Sequence, residues 1–191
     1  MTSSIPKGHP YWHARSIVEK YCNEIEALHF SYYDYVPQSL IDRRKIFSIS
    51  PKDFLDNHTI ETIIRNAPLG QELAFQSNVL LIGGVQKHLP MVDMSTSSAA
   101  QLSKLKPFLG DEIFEQFKWF KSGRSFHGYG KILVTESEWI TLMGMFLLAN
   151  LKGLAPTVDP RWVGHRLIAG YSALRWSKNT TSYIHLPKEI D

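Results

Sequence analysis

The stretch Lys121-Ser122-Gly123-Arg124-Ser125-Phe126-His127-Gly128-Tyr129-Gly130 constrains this chain more than any other. A turn of small residues leads at once into an apolar run, Ile132-Leu133-Val134. Residues 125–134 are therefore expected to leave a tight turn as a strand. Glycine lets backbone approach a ligand closely. Arg124 brings a planar fork of donors that suits phosphate oxygens. Ser122 adds a hydroxyl, and His127 an imidazole whose charge can change near neutral pH. Such a turn suits a polyphosphate. Taken alone, it reads equally well as a solvated turn beside a packed histidine.

The rest of the chain supplies the context. With 191 residues, 43% hydrophobic and 12% aromatic against 20% charged, it can bury a real core and is not disordered. A formal charge of +3 is compatible with nucleotide or nucleic-acid partners without requiring them. Cys22, the only cysteine, excludes an internal disulfide and a Cys-rich zinc site. It falls among apolar neighbours and is expected in the core. The start, Met1-Thr2-Ser3-Ser4-Ile5-Pro6, lacks the basic-then-apolar pattern of a signal peptide. The longest apolar stretch, around Trp139–Leu151, is too short to span a bilayer. A cytoplasmic protein without a membrane segment is expected.

Residues 1–72 read as a mostly helical N-terminal extension and 73–191 as the core. After a loose leader, Ile17, Val18, Tyr21, Ile25 and Leu28 recur at helical spacing over 10–30. Tyr32–Pro37 reads as extended, and short helices are expected near 51–56 and 58–66. Residues 73–94 look like a hairpin broken at Gly83-Gly84, which lacks the spacing and lysine of a phosphate-binding P-loop. Helices are expected over 97–107 and 111–120. Thr135-Glu136-Ser137-Glu138 has the capping-box pattern and opens a helix to about 151. Ala155–Asp159 reads as a short strand ending on a carboxylate, and 170–187 as a final hairpin. Two acidic residues, Asp93 and Asp159, thus end strands 66 residues apart, with the glycine turn between them. Ligands collect at strand ends in such sheets.

This order resembles the archaeo-eukaryotic primase superfamily: small primase subunits, primase-polymerases and bacterial end-joining polymerases. The resemblance rests on Ser122-Gly123-Arg124-Ser125-Phe126-His127, then on Val158-Asp159 followed by Arg161, His165, Arg166 and Leu174-Arg175-Trp176-Ser177. It covers about residues 73–187. It implies an α+β fold, with a mixed or antiparallel sheet of the RRM-like primase core flanked by helices. The family's first motif carries a second acidic residue, whereas this chain has Asp93-Met94-Ser95, a hydroxyl in that place.

The resemblance implies that Asp93 and Asp159 hold Mg²⁺ or Mn²⁺, with Ser95 a weak or indirect third member of the catalytic set. It implies that Ser122, Gly123, Arg124, His127 and Arg166 hold a nucleoside triphosphate, and that Arg161, His165, Arg175 and Lys178 meet DNA or RNA. For these last four a solvated cationic face is the competing reading. Two metal ions need more anionic oxygen than two carboxylates give, so a carboxylate from elsewhere, such as Asp111 or Glu112, could substitute, though nothing in the sequence places one there. Two functions follow. One is nucleotidyl transfer to a 3′-hydroxyl. The other is a degenerate nucleotide- or nucleic-acid-binding subunit, working with other protein subunits in a mobile-element or phage-defence assembly. Trp162 and Trp176 are candidates for base stacking or core, His88 for the site's edge, and His9, His13 and His29 have no metal-ligand spacing.

Overall fold

Helix α1 (Pro10–Tyr21) begins where His9 Nδ1 accepts the Tyr11 amide and Pro10 fixes the first turn. The computed structural model describes residues 4–190. The expected helix over 10–30 stops at Tyr21, and residues Ile25–Tyr33 form strand β1. Strand β2 (Arg44–Ile49) pairs antiparallel with it, so the leading segment supplies strands as well as helices. Helices α2 (Pro51–Leu55) and α3 (Asn57–Arg65) follow as expected, capped by Ser50 and Asp56.

Strand β3 (Glu72–Leu81) is the spine of the first sheet. One edge pairs with β1; the other pairs with β4 (Gln86–His88) and, further along, with β8 (Ala173–Arg175). The hairpin expected over 73–94 is real only to His88. Pro90 breaks the ladder, and β5 (Met91–Asp93) enters a second sheet, ordered β5-β7-β6-β9. There β6 (Lys118–Ser122) and β7 (Ser125–Tyr129) are joined by the Gly123 turn, and β9 (Lys188–Glu189) closes the far edge. All these pairings are antiparallel.

Several boundaries differ from expectation. Residues Ala99–Leu105 form a 3₁₀ turn running into α4 (Lys106–Leu109), and α5 (Asp111–Glu115) is short because 118–122 alternates into a strand. Strand β7 ends at Tyr129, and Val134 makes only an isolated bridge to His88. Helix α6 (Glu136–Leu148) has its capping box, and α7 (Pro160–Ala169) follows Asp159. The tail is not a hairpin: β8 joins the first sheet and β9 the second.

Two apolar cores form, and the first is shared, since Met91, Phe120 and Tyr129 of the second sheet belong to it. Tyr11, Ile17, Phe30, Phe54, Phe75 and Trp176 pack between the first sheet and α1–α3, while Val92, Phe126, Trp139, Met143 and Phe146 pack the second against α6 and α7. Each large apolar side chain so buried contributes about 1.5–3 kcal/mol. Trp176 is therefore core, and Cys22 is only half-buried, at the C-terminus of α1. Among the described residues no helix is long and apolar enough to cross a membrane.

Candidate functional site

Backbone pairing brings the two distant carboxylates together. Asp93 lies opposite His127 across β5 and β7. The segment expected as a strand over 155–159 is instead an isolated bridge, Val158 to Met94, and it runs beside the end of β5. Ser95 N donates to Thr157 O at 2.9 Å and Asp159 N to Asp93 O at 3.0 Å. The Asp159 side chain then turns to cap α7, its Oδ1 accepting from Arg161 N at 2.8 Å and Trp162 N at 3.1 Å.

These groups open on a cavity of about 550 Å³ along the seam of the two sheets. Its walls include Asp93, Ser95, Ser122, His127 and Asp159 from the second sheet and its neighbours. Arg44, Arg166, Arg175, Tyr33, Tyr183 and most of residues 34–42, Asp34 and Asp42 included, also line it. The side chain of Asp93 is 24% exposed and its Oδ1 lies 3.7 Å from His127 Nε2, too far for a hydrogen bond. Burial and the facing Asp159 raise the Asp93 carboxyl to about 8, against Arg175 and the Ser125 hydroxyl. Burial, then Arg175, holds His127 well below its ordinary value. Near neutral pH both are uncharged, and His127 Nδ1 is buried without a hydrogen-bond partner. A cation between the carboxylates would reverse that balance.

Arg175 is the pivot of the inner wall. It donates to Ser122 Oγ at 2.9 Å and to the carbonyl of Ser177, and its guanidinium lies 3.9 Å from the centre of the Tyr183 ring. Gly123 takes φ +62 in the turn after Ser122, a conformation that favours glycine. Arg161 and His165 stand at the cavity and donate to the Ser39 carbonyl, at 2.8 and 3.1 Å. Trp162 also lines the cavity. Arg124 and Lys178 are exposed and off the cavity wall. So are Asp111 and Glu112, which bring no further carboxylate. His88 is buried against Ser77 and stacked on Trp139, not at the site.

Sequence reasoning missed Tyr33, Asp42, Arg44 and Tyr183. None belongs to a short motif; folding alone brings them to the cavity. Among the described residues no three His, Cys, Asp or Glu side chains cluster to hold a metal ion by themselves. Asp93 and Asp159 offer two carboxylates, one of whose oxygens is already accepting two amides. That donor set fits a single divalent cation whose other ligands are phosphate oxygens or water.

A family model described as archaeo-eukaryotic primase 1D-like (AEP-like) matches residues 51–188, well over half of the sequence. The chain belongs to this archaeo-eukaryotic primase-like family. Membership places it, at a coarse level, among primase- and polymerase-like nucleotidyltransferases, which handle nucleotides and nucleic acid. A search of curated proteins found no match. The matched region contains every site residue anticipated from the sequence; Tyr33, Asp42 and Arg44 lie before it.

Proposed function

We propose that this chain binds a nucleoside triphosphate with one Mg²⁺ or Mn²⁺ and transfers its nucleotidyl group to a 3′-hydroxyl on a nucleic-acid template. The convergence of Asp93, Asp159 and His127 on one cavity, lined opposite by Arg44, Arg166 and Arg175, carries the reading. The cavity's volume falls in the range that accommodates a nucleotide.

Asp93 and Asp159 would hold the cation, which when bound neutralises phosphate charge and polarises a phosphoryl oxygen. Arg175 and His127 face the same space with N–H groups suited to phosphate oxygens. Arg175 is already fixed by Ser122 and Tyr183, so it meets the developing charge without reorganising. The 3′-hydroxyl would attack the α-phosphorus and give up its proton to water, while the bond from the α-phosphorus to the bridging oxygen breaks and pyrophosphate leaves. Such a reaction draws on nucleoside triphosphates inside the cell.

Ser95 favours a second reading. It stands where a further carboxylate would bind the ion that activates the 3′-hydroxyl, and among the described residues no third acidic side chain groups with Asp93 and Asp159 to hold a metal ion. The chain would then be a nucleotide- or nucleic-acid-binding subunit of a larger assembly. Primer extension and de novo synthesis with Mn²⁺ separate the two readings. Incorporation that falls by roughly 100-fold or more in Asp93→Asn and Asp159→Asn supports transfer. Nucleotide binding with no incorporation supports the subunit.

A further inference from the structure

The loop of residues 34–42, between β1 and β2, lies across the cationic wall of the cavity and carries its own anion into it. Asp42 Oδ2 accepts from Arg44 Nε at 2.8 Å and also from Arg166 Nη2. Two guanidinium groups therefore share one carboxylate oxygen. Arg166 has a side chain only 1% exposed, and its Nε and Nη1 have no hydrogen-bond partner. Arg44 is backed by the Tyr33 ring at 4.3 Å and by Ser31 Oγ at 3.2 Å. Leaving buried guanidinium donors unmet is costly, and one carboxylate cannot satisfy two planar forks. A phosphoryl group carries three oxygens and more charge.

We propose that Arg44 and Arg166 form a phosphoryl-binding subsite, that Asp42 is its internal occupant, and that an incoming phosphate displaces Asp42 and lifts the 34–42 loop. The subsite draws on the nucleotide-cavity reading only for the source of the phosphate, either the tail of a nucleotide or the backbone of a polynucleotide. Arg44 and Asp42 lie before the stretch that the family model matches, and Arg166 lies within it. The loop is held for release. Its Ser39 carbonyl meets Arg161 and His165, Gln38 takes φ 58, and Val36, Leu40 and Ile41 are exposed. Displacing it would free the guanidinium of Arg161 and the imidazole of His165 together.

The test uses the full chain without divalent metal, so that it does not depend on the Asp93–Asp159 pair or on catalysis. Titration with tripolyphosphate, a nucleoside triphosphate and a single-stranded oligonucleotide compares the natural chain with Asp42→Asn. Removing the internal competitor is expected to tighten at least one of them by about fivefold or more. Gain with tripolyphosphate and the nucleotide assigns the phosphate to the tail, and gain with the oligonucleotide assigns it to the backbone. Arg44→Gln is expected to abolish the gain. Hydrogen exchange on the unaltered chain gives a reading independent of any variant's folding: saturating tripolyphosphate or oligonucleotide should speed exchange of the backbone amides between residues 35 and 42, Pro37 having none. Affinities unchanged in a folded Asp42→Asn, or exchange of those amides unaltered or slowed by both ligands, overturns the subsite. If Asp93→Asn loses nucleotidyl transfer but keeps ligand-driven loop release, the two proposals are resolved independently.

Discussion

At Gly128 the second sheet leaves no room for a side chain. A Cβ built there would stand 2.7 Å from both Trp119 Cζ3 and Val92 Cγ1. Backbone geometry is not the constraint, because Gly128 is not among the glycines with positive φ; close approach is. Gly128 neighbours His127, so the shift forced by a methyl group is passed to the strand that aims the imidazole. Gly128→Ala is expected to cost about 1–3 kcal/mol, read as a lower urea midpoint, and to weaken nucleotide binding through displacement of His127. An unchanged midpoint would mean that Trp119 and Val92 yield freely.

The helix with the clearest local instruction is α6. Thr135 Oγ1 accepts the Glu138 amide, while Glu138 accepts from the Thr135 amide at 2.7 Å. Thr135→Ala should lower stability by about 1 kcal/mol, seen as a drop in thermal midpoint, with nucleotide affinity unchanged because the cap lies away from the cavity. That element was legible because its instruction is local. Strand β1 was not. Register shifts between Ile25 and Ala27 and between Leu28 and Phe30 put Ile25, Leu28 and Phe30 in the core. Irregular strand spacing there imitates helical recurrence. Strand β6 begins inside the helix expected over 111–120, which in fact ends at Glu115. At the site, Asp93, His127 and Asp159 could be anticipated from motifs that resemble the family's, whereas the place of Asp42 depends on Arg166, more than a hundred residues further along the chain, which no local pattern announces.

Across the whole molecule, buried histidines set the response to acid. Burial lowers His9 and His88 to about 4, lowers His13, and holds His127 well below its usual value. The unfolded chain takes up these protons first, near pH 6.5. Their contribution is thus complete above about 6.5 and is lost as pH falls toward 4, at up to about 1.4 kcal/mol per pH unit for each histidine. Asp93, raised to about 8, acts in the opposite sense, since the folded form holds its proton while the unfolded form has released it. Four histidines outweigh one carboxyl. The metal-free chain should therefore lose stability steadily from pH 6.5 to 5, and Asp93→Asn should make that loss steeper. A denaturation midpoint flat over this range would contradict the assignment. The cavity also straddles the two sheets, with His127 and Asp93 on one and Arg44 and Arg175 on the other. A molecule seated there would act as a rivet beside the shared core, so occupancy at this one spot should stiffen the join between the sheets.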